Sequence, residues 1–462
     1  MSMERMLEIL DRTRNGPVCP TKEWELSVIP TKVSQKLKEH GLDETFTPEN
    51  PINADDELAD RFFKAGFELA LDIGFLCQDT ERIVEFSKDE INQAIDAAPQ
   101  KLSFGKESDT VVMQHRKPDD SHPMLTVSTL GQQISEEIWV PLMAAVASNR
   151  DIDMFMGGSI VTISGRPVLA GTPYETLLGR YQAQLTRDAL RKAGRPGMAT
   201  WAVVSSTTEY GQLGGFGIRG GFPADNSVAI CLNPGELMTG YRTLHKVVHA
   251  HNCGSTIHTG HVSMIGGYAG PPEGAALAAI ANSLLFLTGY QSELAGGAVI
   301  DVRYGGTSGR EALWANGVVL QSITRNTALL KSSLFDSVAG PCTDVFLYEL
   351  AMGALNASVS GAAWASFPRS GGGKYSDRLT PLECEFCAEI IKCSAGMSRS
   401  QVNKIAKILV PKYENRLMDP PKGKGVRDCC DWKTFRPKPE WRDIYLKVKK
   451  ELMDLGVPLE YP

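Results

Sequence analysis

Residues 255–304 read STIHTGHVSMIGGYAGPPEGAALAAIANSLLFLTGYQSELAGGAVIDVRY, and this stretch decides the predicted fold. A β-rich run begins at Ser255, an apolar helical run covers Gly274–Tyr290, and a second β-rich run begins at Ala298. The two prolines and Glu273 ahead of the helical run give it a rigid start and a negative charge at its positive end. A strand, a helix and a strand in this order predict one βα unit of a parallel sheet.

The same alternation continues on both sides of this stretch. Eight β-rich runs alternate with helical runs at spacings of about 27 to 43 residues, which predicts an α/β fold of the (β/α)8 TIM barrel type. A doubly wound sheet is the alternative. The predicted strands begin near Met124, Phe155, Met198, Ser227, Ser255, Ala298, Leu334 and Gly361.

The barrel pattern occupies only the middle of the chain. We predict a mainly helical N-terminal extension over residues 1–120 and a barrel catalytic domain over 121–375. Residues 376–462 are predicted to form C-terminal helices that pack on the barrel or at an oligomer contact.

Composition and charge restrict the function classes. The 462 residues are 42% hydrophobic and 22% charged, which excludes a disordered chain and supplies a large apolar core. A formal net charge of −6 disfavours nucleic acid and anionic membranes as partners, so chemistry on small molecules is the leading class. Ten scattered cysteines suit a reducing cytosol, and the N-terminal stretch MSMERMLEILDRTRNG lacks the apolar run of a secretory signal. We therefore expect a cytoplasmic protein.

Glycine is enriched, with 44 residues, and it is densest after the third predicted strand. The segment GFGIRG at 215–220 matches a dinucleotide-binding pattern, but Gly221-Phe222-Pro223 follows it where that motif would open a helix. We interpret the segment instead as a loop over the site, in which the candidate residues are Gly211, Gly214, Gly215 and Gly217.

Polar and aromatic residues just after the predicted strands form the candidate site. The carboxyl ends of barrel strands meet at one mouth, where barrel enzymes place their active sites. The residues at these positions are Arg166, Glu209, Tyr210, Asp225, Asn233, His261, Tyr268, Glu273, Arg303, Tyr304, Asp336 and Arg369. These residue types alone leave a hydrolase, a lyase and a transferase open.

Four short segments resemble one known family. They are FKAGFE at 63–68, GRPGM at 194–198, GGYAG at 266–270 and AGPCT at 339–343. In this order they are similar to segments of the monomethylamine:corrinoid methyltransferases, the MtmB-type enzymes, and the likeness runs from near Cys19 to the C-terminal DLG.

The resemblance implies a (β/α)8 barrel and a homo-oligomer, in the family a hexamer. It implies transfer of a methyl group from an amine to Co(I) of a separate corrinoid protein, so the corrinoid (cobalamin) comes from the partner and this chain binds no cofactor tightly. It implies no metal ligands. In the family the site holds pyrrolysine, whose imine is an electrophile for the amine.

Two of the three family site positions carry a different residue in this chain. Counting from GRPGM places the pyrrolysine position at Tyr210. The family glutamate after GGYAG matches Glu273, whereas the family glutamine before AGPCT falls on Leu334. The resemblance therefore implies a pyrrolysine-free relative.

The tyrosine changes the expected chemistry. A phenol is not an electrophile, so it cannot activate a neutral amine as an imine does. A quaternary ammonium or sulfonium ion carries its methyl group on a positive centre and leaves as a neutral molecule, so we predict such a cation as substrate. Tyr210 and Glu273 are the predicted catalytic residues, and aromatic faces and a carboxylate would hold the charge. The predicted substrate-binding residues are Tyr268, Tyr304, Asp336, Leu334 and His261.

Three alternative functions stay open. A methoxy-aromatic O-demethylase would use Tyr210 or Glu209 as an acid for the leaving phenolate. A metal-dependent barrel hydrolase would use His258, His261 and Asp336 as ligands. A non-catalytic barrel would bind a corrinoid protein or a ligand without methyl transfer.

Overall fold

The N-terminal part of the chain packs around the barrel as helices and two small sheets. The computed structural model describes residues 3–206 and 208–460. The N-terminal elements are α1 (Met3–Asn15), α2 (Thr21–Glu23), α3 (Ile29–Glu39), α4 (Asp56–Ile73), β1 (Phe75–Cys77), β2 (Arg82–Val84), α5 (Lys88–Ala97), β3 (Lys101–Phe104) and β4 (Val111–Gln114). Ser87 and Glu90 form a capping box at the start of α5, because each side chain bonds the other residue's backbone N–H.

Eight parallel strands close into a barrel, as the sequence predicts. Their order around the ring is β10-β12-β14-β16-β17-β5-β6-β9. The first half contains β5 (Leu125–Ser128), α6 (Glu136–Ala147), β6 (Met154–Met156), β7 (Thr162–Ile163), β8 (Arg166–Pro167), α7 (Pro173–Lys192), β9 (Thr200–Ala202) and α8 (Tyr210–Gly215). The second half contains β10 (Ser227–Leu232), β11 (Met238–Thr239), α9 (Tyr241–Asn252), β12 (Ile257–Gly260), β13 (Val262–Ile265), α10 (Pro272–Tyr290), β14 (Leu294–Ala295), β15 (Ala298–Asp301), α11 (Arg310–Asn326), β16 (Leu330–Asp336), α12 (Asp344–Val359) and β17 (Trp364–Arg369).

Two predicted strand positions need correction. The sixth barrel strand is β14, not the run at Ala298, which forms β15 and pairs with β13 beyond the ring. Gly296 and Gly297 lie between β14 and β15. Both positions need glycine, because a Cβ at either one would collide with a histidine ring on β12 or just after it. The seventh strand begins at Leu330, four residues before the predicted start at Leu334.

Helix α10 is buried along its whole length. It packs on α4, α11 and β13, and its small residues allow close approach of the neighbouring helix. A side chain at Gly66 of α4 would collide with Ile280, so the FKAGFE segment needs glycine at this crossing. Within residues 3–206 and 208–460, no helix is both long enough and apolar enough to span a membrane.

The two ends of the barrel differ. The β3–β4 hairpin covers the end where the strands begin, and its Phe104 and Met113 join the apolar cluster inside the ring. The C-terminal helices α13 (Pro381–Cys393), α14 (Arg399–Tyr413), α15 (Val426–Cys429) and α16 (Pro439–Asp454) pack beside α12 and α6. The end where the strands finish is the mouth of the barrel.

Candidate active site

Two tryptophans and a histidine fill the middle of the barrel. Trp201 of β9 and Trp364 of β17 lie with ring centroids 4.3 Å apart, and the His258 ring meets them edge-on at 5.0 and 5.1 Å. Burial, reinforced by nearby Lys331, lowers the pKa of His258 to about 3, so its imidazole is neutral at pH 7. These three rings form an aromatic floor beneath the mouth.

Three exposed apolar side chains lie on one side of the mouth above this floor. Side chains alternate along a strand. Leu232 therefore points inward like the core residue Val228, which lies four residues earlier on β10. The same alternation places Val262 and Val302 on the inner side of β13 and just past β15. Leu232, Val262 and Val302 form the apolar rim of the mouth, and 52%, 43% and 45% of their surfaces are exposed. An exposed apolar rim of this kind is typical of a surface that another molecule covers.

A carboxylate lies at the mouth beside an arginine. Asp336 ends β16, and its Oδ2 lies 3.3 Å from Nη1 of Arg369, which ends β17. The other carboxylate oxygen, Oδ1, is buried and has no hydrogen-bond partner among the described residues. Burial raises the pKa of Asp336, and the arginine opposes that shift. Leu334, two residues earlier on the same strand, is a neighbouring inward position, so two of the predicted substrate-binding residues meet here.

Comparison with known proteins assigns this barrel to a family. The family model described as monomethylamine methyltransferase MtmB matches residues 5–457. The chain belongs to this family. Proteins named monomethylamine methyltransferase MtmB from Methanosarcina mazei and MtmB1 from Methanosarcina acetivorans are each 30% identical to it, over 97% of each chain. The crystal structure of the Methanosarcina barkeri enzyme superimposes with a TM-score of 0.94 at 28% identity, over 98% of each chain.

Family membership confirms two of the sequence predictions. The monomethylamine methyltransferase family is one of methyltransferases, so this chain is an enzyme of that type. The structural match together with the closed ring of eight parallel strands confirms the (β/α)8 barrel.

Tyr210, which the resemblance places at the pyrrolysine position, lies on the outer side of the mouth. It begins α8 and is 43% exposed. Its ring lines an open groove between α7 and α8, together with Pro173, Leu177 and Ile218. The predicted aromatic cage of Tyr210, Tyr268 and Tyr304 is therefore not assembled in this structure.

The glycines after Tyr210 are helical, which corrects the prediction of a loop over the site. Gly211, Gly214 and Gly215 lie in α8, and Gly217 follows it. A Cβ at Gly211 would collide with Ser206, and one at Gly214 or Gly215 would collide with α7. The glycines are present because α8 packs directly on α7.

Glu175 of α7 holds the segment that leads to Tyr210. Its carboxylate accepts hydrogen bonds from the Thr208 N–H at 2.7 Å, the Thr208 hydroxyl at 2.6 Å and the Ser206 hydroxyl at 2.9 Å. Burial alone would raise the pKa of Glu175, but these bonds and one from the Gly171 N–H outweigh burial and lower the pKa to about 2.

We call these hydrogen bonds to Glu175 the clamp. They predict that the segment leading to Tyr210 is sensitive to acid. Because the folded-state pKa lies below the unfolded value, the stabilisation is complete above about pH 4.5 and is lost as pH falls toward about 2. We expect hydrogen-exchange protection of the Thr208 amide, corrected for intrinsic exchange, to fall between pH 5 and pH 2.5. In Glu175→Ala, which removes both acceptor oxygens, the protection should already be low at pH 7. Equal protection across this range in the unchanged chain would contradict the clamp.

Glu273 and Tyr268 both contact the N-terminal extension. Glu273 is 4% exposed, and its Oε1 accepts a hydrogen bond of 2.9 Å from the Phe46 N–H. Tyr268 lies beside Glu25, and a hydrogen bond to that carboxylate raises the pKa of the phenol. These contacts tie residues 25–46 to the loop before α10, beside the mouth rather than inside it.

The Glu273 contact predicts a stability effect. Glu273→Ala leaves the Phe46 N–H without its partner, so we expect the free energy of unfolding to fall by about 1–3 kcal/mol. Glu273→Gln keeps an oxygen acceptor and should retain most of the stability. Denaturant unfolding of both variants measures this. Methyl transfer lost in Glu273→Gln at unchanged stability would instead support the catalytic role predicted from the sequence.

The remaining predicted residues also have partners away from the mouth. The Tyr304 hydroxyl accepts a hydrogen bond of 3.1 Å from the Gly309 N–H, and burial raises the pKa of this phenol. His261 Nε2 lies 3.3 Å from the Ser283 hydroxyl on α10, outside the barrel wall. Since His258 points inward and His261 outward, the two do not face one site, and the described residues contain no cluster of three or more metal-ligand side chains.

Sequence reasoning missed the aromatic floor and the apolar rim. A signal for the floor was present, because the runs MATWAVVSS and GAAWASF each carry a tryptophan in the middle of a predicted strand. The rim had no such signal, because a valine at a strand end looks like any core valine until its exposure is known.

Proposed function

We propose that this chain transfers a methyl group from a small methylated amine, bound as a cation at the barrel mouth, to Co(I) of a corrinoid held by a separate protein. The observation that carries this proposal is the buried Oδ1 of Asp336, which has no hydrogen-bond partner among the described residues. Arg369 already pairs with Oδ2, and an ammonium ion supplies the donor that Oδ1 lacks.

The residues of the mouth favour such a donor in two ways. Asp336 neutralises and orients the positive nitrogen. The apolar rim keeps water away when a partner covers the mouth. Positioning for in-line displacement is therefore the main contribution of the protein.

The exposed apolar rim also suits the corrinoid partner. Leu232, Val262 and Val302 lie on one side of the opening through which a methyl acceptor must approach, because they follow neighbouring strands of the ring. When the partner is docked, its Co(I) supplies the nucleophile. The nitrogen keeps the electron pair of the broken C–N bond and loses its positive charge, so the product binds Asp336 less tightly than the donor does.

Methylamine is the first donor to test, because the curated relatives are named for it. A quaternary ammonium or sulfonium ion is the second candidate. Tyrosine at position 210 favours this candidate, since it replaces the electrophile that the resemblance implies for methylamine.

The test combines the purified chain, a reduced corrinoid protein and a panel of methylated compounds. Loss of the Co(I) absorbance with methylamine supports the first candidate, and loss only with tetramethylammonium, betaine-like or sulfonium compounds supports the second. Turnover with methoxy-aromatic compounds alone, or corrinoid-protein binding without any turnover, would overturn the proposal.

A further inference from the structure

A second cavity lies at the end of the barrel opposite the mouth. Its volume is about 540 Å³, within the range of small-molecule sites. It is bounded by the C-terminal ends of α5 and α10 and by the turn Gln291–Glu293, which leads into the start of β14. Since β14 begins here, this cavity and the catalytic mouth lie at opposite ends of the strands.

Three glutamates line this cavity, and arginines pair with two of them. Arg5 lies 2.9 Å from Glu8 and 2.7 Å from Glu90, and Arg12 lies 2.7 Å from Glu90. Glu293 has no Lys, Arg or His ion-pair partner in the described part of the chain, and its Oε2 accepts a hydrogen bond of 2.8 Å from the Ile257 N–H. Burial raises the pKa of Glu293, so a cation bound beside it would favour the charged carboxylate. The C-terminal ends of two helices add negative potential that favours the same cation.

An orphaned hydroxyl at the cavity wall indicates a ligand independently of the charge. Ser292 is 3% exposed, and its Oγ has no hydrogen-bond partner among residues 3–206 and 208–460. Buried hydroxyls are almost always hydrogen-bonded, so this one calls for a partner that the protein itself does not provide.

The rest of the wall is apolar, which selects among cations. Ala94, Ala97, Pro99 and Leu287 supply alkyl surface opposite Ser292 and Glu293. In the described residues no three metal-ligand side chains gather as a bare metal ion would require. A cation that is partly alkyl matches both kinds of wall.

We propose that this cavity binds a small organic ammonium ion, with Glu293 as its counter-charge, Ser292 as a hydrogen-bond acceptor and Ala97 with Leu287 against its alkyl groups. The site is separate from the catalytic mouth, and the proposal does not depend on the proposed function. It gives the enzyme a second place at which an amine can bind.

The experiment measures binding of methylammonium and tetramethylammonium by the NMR line widths of their methyl signals. The full chain carries Asp336→Asn, so that the mouth does not contribute. We expect binding to persist in this background and to weaken at least tenfold on adding Glu293→Gln. Ser292→Ala should weaken methylammonium more than tetramethylammonium, because only the former has N–H donors.

A matched pair of lysine substitutions controls for folding and for overall charge. Gln93 is exposed at the edge of the cavity, whereas Gln100 is exposed outside it. Gln93→Lys should weaken binding at least tenfold, and Gln100→Lys should leave it unchanged. No binding in the Asp336→Asn background, equal effects of the two lysines, or equally strong competition by potassium ions would overturn the proposal.

Discussion

Replacing Asp336 by asparagine is expected to lower kcat/KM for the methylated donor about 100-fold, equivalent to about 2.7 kcal/mol. The reason is the loss of the carboxylate at the end of β16, whose Oδ1 is buried without a partner. Removing one member of a buried charge pair commonly costs about 2–5 kcal/mol, and the expected loss lies near the low end of that range. Steady-state assays at fixed corrinoid concentration measure the change, which we expect mainly in KM for the donor.

Asp225→Asn is the matched control for this prediction. The sequence predicts Asp225 at the mouth, but the structure places it before the start of β10, at the far end of the barrel, where it is 69% exposed and pairs with Lys106. The same change of charge at this position should leave kcat/KM within twofold of the unchanged enzyme. Equal activity of the Asp336 and Asp225 variants would show that Asp336 does not hold the donor.

Val302→Lys is expected to raise KM for the corrinoid protein at least tenfold and to leave donor binding nearly unchanged. Val302 is 45% exposed on the apolar rim, and docking would bury a charge there without a partner. Val262→Glu should have a similar effect although its charge is opposite. Agreement between the two variants would assign the loss to burial of a charge, not to attraction or repulsion between the proteins.

Val112→Lys controls for adding a lysine to an exposed valine. Val112 is 47% exposed on β4, in the hairpin that covers the other end of the barrel. Its substitution should leave KM for the corrinoid protein unchanged. A rim variant that behaves like Val112→Lys would exclude the rim as the docking surface.

The order of secondary structure could be predicted from the sequence because its signals are local. Apolar runs, prolines and capping residues lie within a few positions of the elements they define, as Ser87 and Glu90 do for α5. Repetition of strand and helix then restricts the topology, since parallel strands need crossover helices. The sixth strand was misplaced because the break at Gly296 and Gly297 depends on contacts with histidine rings of a neighbouring strand. A local sequence pattern carries no information about such contacts.

Side-chain direction at the mouth was decided only by the tertiary structure. Tyr210, Glu273, Tyr268 and Tyr304 all follow barrel strands. Glu273 and Tyr268 bond partners that are distant in sequence, Tyr304 accepts a hydrogen bond from Gly309 five residues ahead, and Tyr210 faces an outer groove. Asp336 and Leu334 lie within β16, where alternation sets the direction of each side chain, and their roles in substrate binding stay predictions.

By itself, therefore, the sequence determined the barrel and its family resemblance. The tertiary structure decided which residues after the strands reach the mouth, and it formed the aromatic floor and the apolar rim. The physical reason is that a strand has a period of two, whereas a loop has none, so its side chains are directed by packing between segments far apart in the chain.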